Sequence, residues 1–226
     1  MKGGPVLKGD VPPSPSDEPS VVRTQTLFDG WGTLRRYELS DGSSREVYDH
    51  GHAVACLAYD PERGTVLLAR QFRLPIALHG NDLPGDDPPG NGNRPHDGIS
   101  IEAPAGLIDE GETPEAAMRR EMEEETGFRV RDLRPVADLF ASPGSLSERM
   151  VLFTARYGPD DRVGAGGGLA EEGENITILE VSLGEARTML LDGRIRDLKT
   201  AFLVLHLATR NDEERSSAQG DASADI

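Results

Sequence analysis

Residues 106–128 read GLIDEGETPEAAMRREMEEETGF, and the way this stretch folds decides how the rest of the chain is read. Thr113 suits the N-cap of a helix, Pro114 its first position, Glu115 the positive end of its dipole and Gly127 the position just past its C-terminus. A helix over 114–126 is therefore expected. On it Glu121, Glu124 and Glu125 stand three and four residues apart and share one face. Like charges at that spacing destabilise a bare helix by roughly a few tenths of a kcal/mol per pair, so helix stability alone does not call for them. Two readings stay open on the residues themselves. One is a solvated acidic face; the other is a site for hard divalent cations such as Mg2+, which takes oxygen ligands and keeps waters or phosphates in its remaining positions.

The whole chain of 226 residues carries 40 Asp and Glu against 24 Lys and Arg, a formal net charge of −16. That balance argues against gripping nucleic acid, which takes a basic stripe that releases counterions. An anionic small substrate would instead need metal ions between it and the protein. No run of eighteen apolar residues suggests a membrane span, and no basic start leads into an apolar segment, so a cytoplasmic protein is expected. The single cysteine, Cys56, lies in the apolar run 53–58 and reads as a buried structural thiol. The histidines at 50, 52, 79, 96 and 206 show no metal-ligand spacing.

Working outward, residues 1–20 hold five prolines and residues 209–226 are small and polar, so both are expected to be disordered tails. Apolar or alternating stretches at 21–28, 31–39 and 45–49, with Asp41-Gly42 as a hairpin signal, predict an antiparallel meander over 21–49. Strands follow at 53–59 and 65–70. Of the twenty residues 79–98, sixteen are Gly, Pro, Asp or Asn, which marks a loop, either a lid or an insertion. Further strands are expected at 99–103, 133–140, 150–156 and 176–181, a Gly-rich loop at 164–168, and helices at 183–192 and about 197–209.

The frame Gly106, Glu112, Arg120-Glu121-Met122, Glu124-Glu125 and Gly127-Phe128 resembles the signature box of the Nudix hydrolases at every specified position. The resemblance implies an α/β fold, a Nudix-type α/β/α sandwich over 50–208 with the N-terminal meander attached for dimerisation. It implies Mg2+ as cofactor, with Mn2+ able to substitute. By position Glu121 and Glu125 are similar to the principal metal ligands, Glu124 to a further one, and the carbonyl of Ala105 to a backbone ligand. Arg120 and Glu112 resemble the ion pair that orients the carboxylates.

Other segments resemble the branch that hydrolyses nucleoside diphosphate sugars. Arg70-Gln71-Phe72-Arg73, the run 102–109 and Ser142-Pro143-Gly144 with Glu148 look like that branch, and Pro143 lies at a spacing similar to a marker of ADP-ribose hydrolysis. The runs 165–168 and 193–200 look like the bacterial GDP-mannose hydrolases. The resemblance thus implies hydrolysis of ADP-ribose, GDP-mannose or both to a nucleoside monophosphate and a sugar phosphate. A nucleotide-sugar sensor without turnover is the alternative. Arg70, Arg73, Arg149 and Lys199 are the cations expected at phosphate, with Glu102, Pro143, Gly144 and Glu148 beside the substrate. The loop 171–176 resembles the branch's paired acids, which makes Glu172 the expected base and Glu174 an additional metal contact, with Glu171 as the base if the register is shifted. Exchange of the N-terminal strands between two subunits, and hence a homodimer, follows from the resemblance alone.

Overall fold

The computed structural model describes residues 18–79, 98–169, 171, 173 and 175–221, with His79 and 212–221 in backbone only. One compact unit runs to His50 and takes in Ser142–Ser147; the other comprises Gly51–Ala141 and continues from Glu148.

The first unit is an antiparallel sheet in the order β1 (Val21–Asp29), β2 (Thr33–Leu39), β3 (Ser44–Asp49). Its second turn uses the signal seen in the sequence: Gly42 adopts φ +83°, and the Asp41 carboxylate accepts from Ser43 N at 2.8 Å. Residues 142–147 join this unit through Tyr48, whose amide donates to Ser145 O at 2.9 Å and whose carbonyl accepts from Ser147 N at 3.1 Å. Trp31 stacks on His50, with ring centroids 5.0 Å apart.

The second unit is built on β4 (Ala53–Asp60), β5 (Thr65–Phe72), β6 (Ile99–Glu102), β7 (Ala105–Leu107), β8 (Arg131–Phe140), β9 (Arg149–Arg156) and β10 (Thr177–Ser182). The sheet runs β10-β5-β4-β9-β8, with β6 paired to β5 and β7 to β4, and the central pair β4 and β9 is parallel. Strand β4 explains the layering. Val54, Cys56 and Ala58 point to one face, against Ala117, Met118 and Met122, while Ala55 and Leu57 point to the other, against Ala186, Met189, Leu203 and Val204. The first group belongs to α2 (Pro114–Glu121) and the turn after it, the second to α3 (Leu183–Leu191) and α4 (Leu198–Asp221). A strand covered on both sides must be apolar at every position, as 53–58 is. The result is the expected α/β/α sandwich, with Cys56 wholly buried at its centre and its thiol pushed up by that burial.

Three differences from the sequence reading have physical causes. The short helix α1 (Leu74–His79) and strand β7 escaped it, being too brief to show a period. Helix α4 continues to Asp221, where a disordered polar tail was expected from 209; the stretch 210–219 lacks Gly and Pro, so nothing local stops the helix. The single helix expected over 114–126 is α-helical only to Glu121 and then becomes a π turn, Met122–Thr126. The tail 1–17 and the loop segment 80–97 lie outside the described residues.

Candidate active site

Helix α2 begins as its sequence dictates, with Thr113 Oγ1 accepting from Ala116 N at 3.2 Å and Pro114 in the first turn. Burial of Ala117, Met118 and Met122 fixes its roll, which turns Arg120 toward β7. The Arg120 guanidinium is then a hub. Nε and Nη2 donate to the two oxygens of Glu112 at 3.2 and 3.0 Å, Nη1 donates to Glu121 at 2.7 Å and Glu124 at 3.1 Å, and Nη2 also reaches the Leu107 carbonyl at 3.1 Å. The bonds to Glu112, against the cost of burial and with Glu121 adding to them, hold Arg120 still more firmly protonated than usual. The same bonds hold the Glu112 carboxyl below its ordinary range.

Two glycines make room for this arrangement. A Cβ on Gly106 would lie 2.0 Å from the carboxyl carbon of Glu121. Gly127 has φ +74°, and a Cβ there would lie 2.4 Å from the carbonyl oxygen of Gly164. The Gly-rich loop closes over the end of the π turn: Gly167 N donates to Glu125 O at 2.7 Å and Gly168 N to Glu124 O at 3.1 Å, satisfying carbonyls that the helix end leaves open.

Glu125 is 1% exposed, with Oε2 accepting from Ala105 N at 3.0 Å. Nearby, Glu102 organises a second cluster. Arg73 donates to both its oxygens, at 3.0 and 2.9 Å, and Lys199 Nζ donates to Oε2 at 2.8 Å. Burial by itself would raise the Glu102 carboxyl, but the Arg73 bonds and the charge of Lys199 outweigh it and hold the group at about 2. Glu125 also contributes to the field that keeps Arg73 charged, so the two clusters are electrostatic neighbours.

Of the residues singled out from sequence, Arg120, Glu112, Glu121 and Glu124 come together around one guanidinium, and Glu102, Arg73 and Lys199 around one carboxylate. The π turn changes the winding under the face predicted for the three glutamates: Glu121 and Glu124 meet on Arg120, while Glu125 takes the amide of Ala105, the neighbour of the Gly106 against which the Glu121 carboxyl packs. Among the described residues no three acidic, His or Cys side chains are set as the ligands of one metal ion. Arg149 is paired with the exposed Asp138, and Arg70 is exposed without an ion pair among the described residues. Pro143 and Gly144 belong to the first unit, where both are exposed, and Glu148 is half-buried at the start of β9. Glu171 is exposed, while Glu172 and Glu174 lie outside the described residues.

The donor set nevertheless fits a hard divalent cation. Every side chain in it is a carboxylate, and Glu121 and Glu124 both reach a single nitrogen, so their oxygens converge on one positive centre. Sequence reasoning missed Asp197 and Thr200, which complete the Glu102 cluster. Asp197 Oδ1 accepts from Lys199 at 2.9 Å, and its Oδ2 accepts from Thr200 N at 3.0 Å, as an N-cap does for α4. An Asp three residues before Thr200 at a helix start was the available signal.

Fold and site together define an α/β/α sandwich protein with a carboxylate cluster on the helix that follows a short central-sheet strand. Residues 49–200 match the NUDIX domain, and the chain belongs to that family and is a Nudix hydrolase. It is similar to the GDP-mannose pyrophosphatase of Klebsiella pneumoniae, with 39% identity over 197 residues, 84% of this chain and 91% of that protein. The GDP-mannose pyrophosphatase of Pectobacterium atrosepticum is 37% identical over 198 residues, 84% of this chain and 94% of that one. A crystal structure of an ADP compounds hydrolase shares the fold, with a TM-score of 0.63 at 18% identity over 87% of this chain and 96% of that chain.

Proposed function

We propose that this chain hydrolyses the diphosphate bond of a nucleoside diphosphate sugar, GDP-mannose or ADP-ribose, to a nucleoside monophosphate and a sugar phosphate. The observation that carries the reading is the pairing of an all-carboxylate cluster around Arg120 with two cations, Arg73 and Lys199, held on Glu102. The relatives named GDP-mannose pyrophosphatase support the choice of substrate class. Glu121, Glu124 and Glu125 would hold Mg2+, with Mn2+ as a substitute, joined by the Ala105 carbonyl and Glu174. Such a cation neutralises diphosphate oxygens and lowers the pKa of a bound water.

The chain's own groups do the rest. Arg120, fixed by Glu112, sets where the Glu121 and Glu124 oxygens lie. Lys199 has three N–H donors and spends two on Glu102 and Asp197, and Arg73 has five and spends two on Glu102, so both keep donors for phosphate oxygens. Glu172 takes the proton of the attacking water, and Glu171 takes that role if the loop is shifted by one residue.

A panel of GDP-mannose, ADP-ribose, UDP-glucose and diadenosine polyphosphates, assayed with Mg2+, tests the reading. Glu125→Gln and Glu172→Gln are each expected to lower kcat by about a hundredfold or more with the fold intact. Full activity of Glu125→Gln at saturating Mg2+ would remove the metal assignment. Binding of a nucleotide sugar with no turnover of any panel member would favour a sensor.

The same reading includes a homodimer formed through the first unit. Every residue of β1 is exposed, and Val21, Val22 and Phe28 are each more than half exposed, apolar side chains on an edge strand that a second copy would cover. A monomer in gel filtration at micromolar concentration would refute it. Among the described residues no helix is long and apolar enough to cross a membrane. A cytoplasmic location, and a substrate other than nucleic acid, belong to the proposal and rest on the lone buried thiol and the acidic charge balance.

A further inference from the structure

Thr200 is wholly buried and makes three directed contacts. Its hydroxyl donates to Asp197 Oδ2, its oxygen accepts from the wholly buried Ala103 N at 2.6 Å, and its own amide donates to Asp197 at 3.0 Å. Asp197 uses its other oxygen for Lys199. Two residues beyond Ala103, Ala105 N holds Glu125, and between them Pro104 O accepts from Cys56 N at 2.9 Å. The segment 103–105 is therefore tied to α4 by Thr200, to the centre of the sheet by Cys56 and to the acidic helix by Glu125. Of these ties Thr200 also touches Asp197, which with Glu102 holds Lys199.

We propose that Thr200 is a positioning residue, which sets the Lys199 ammonium relative to the Ala105–Glu125 contact and so the spacing between the phosphate-holding cations and the carboxylates. The chemistry follows from what a hydroxyl can do: it donates and accepts at once, so one atom joins a carboxylate on α4 to a backbone amide beside β7. A methyl in its place leaves Ala103 N as a buried donor without a partner and Asp197 short of one bond. Asp197 and Lys199 are then free to shift together. The proposal rests on the reading that Lys199 contacts substrate phosphate.

The test is steady-state kinetics on the full chain with GDP-mannose and Mg2+, together with amide hydrogen exchange of the protein alone. Thr200→Val is expected to raise KM about tenfold while kcat stays within about threefold, the mark of lost binding common to ground and transition states. Thr200→Ser, which keeps the hydroxyl, is expected to return KM to within about twofold of the parent. Exchange at Ala105 is expected to quicken about tenfold in Thr200→Val, a change that a purely local cap on α4 would not transmit. Thr200→Ala, which removes the hydroxyl without setting a methyl against Asp197, carries the same expectations should Thr200→Val not fold. An unchanged KM, or unchanged exchange at Ala105, in a folded variant overturns the proposal. Lys199→Ala separates the two layers: if its KM is unaltered, the phosphate reading itself fails, whereas a raised KM there with an unaltered KM in Thr200→Val refutes only the role of Thr200.

Discussion

Gly167 donates its amide to the carbonyl of Glu125 at 2.7 Å, which makes the Gly-rich loop the cap of the acidic helix. Gly166, one residue earlier, has φ +70°, and a Cβ on it would lie 2.5 Å from the backbone carbon of Thr126. Both the dihedral and the space exclude a side chain, and the obstacle is backbone that cannot swing aside. Gly166→Ala is therefore expected to destabilise the protein by about 2 kcal/mol, read as a lowered urea midpoint with an unchanged m-value. Gly144→Ala, where nothing lies within 4 Å, is the matched control and is expected to stay within about 0.5 kcal/mol.

Gly106 presents the opposite case, because its obstacle is the tip of a flexible side chain. A Cβ there meets the Glu121 carboxyl group at 2.0 Å, and Glu121 can rotate away. Gly106→Ala is expected to fold with nearly parental stability and to lose about a hundredfold in kcat, since misplacing a functional group by an ångström costs on that order. Circular dichroism and a GDP-mannose assay decide it. Parental kcat would show that the position of Glu121 does not matter.

The box helix was legible because local chemistry writes it: Thr113, Pro114 and Gly127 announce its ends, and Glu112 and Arg120 meet as the family resemblance implied. The π turn was not, since an i, i+5 winding at Met122–Thr126 is selected by contacts from elsewhere, among them the Gly167 and Gly168 amides on its carbonyls. Nor could sequence show that Glu102 joins Arg73 and Lys199. Those partners stand 29 and 97 positions away along the chain, and only the pairing of β6 with β5 and the docking of α4 bring them into contact. Resemblance named Glu102, Arg73 and Lys199 as substrate contacts; geometry shows that they bond first to one another.

Glu112 touches the carboxylates only through Arg120. In Glu112→Gln one of the two acceptor oxygens becomes an NH2 that cannot accept from Arg120 and the other loses its charge, so the guanidinium is free to move with Glu121 and Glu124 still attached. Groups that orient ligands in this indirect way cost about 10- to 100-fold when altered, so kcat is expected to fall about tenfold. The requirement for Mg2+ should rise with it, because the carboxylates are less well placed. A magnesium titration of kcat in parent and variant measures both, and coincident curves would show that Glu112 has no part in placing the site.

Glu102 carries a pH signature. Its carboxyl is held at about 2 in the folded protein, against an ordinary value of 4.5. A depressed folded value means that the unfolded chain binds the proton more readily. The stabilisation is thus complete above about pH 4.5 and is lost as pH falls through the folded value near 2. The lost contribution is on the order of 3 kcal/mol. Urea unfolding of the parent is therefore expected to give a stability that declines from about pH 5 downward. Glu102→Gln, which keeps the shape but leaves Arg73 and Lys199 without their shared counter-charge, is expected to be less stable at pH 7 and to show a shallower decline in acid. Parallel acid limbs in the two proteins would place the acid sensitivity on other carboxylates.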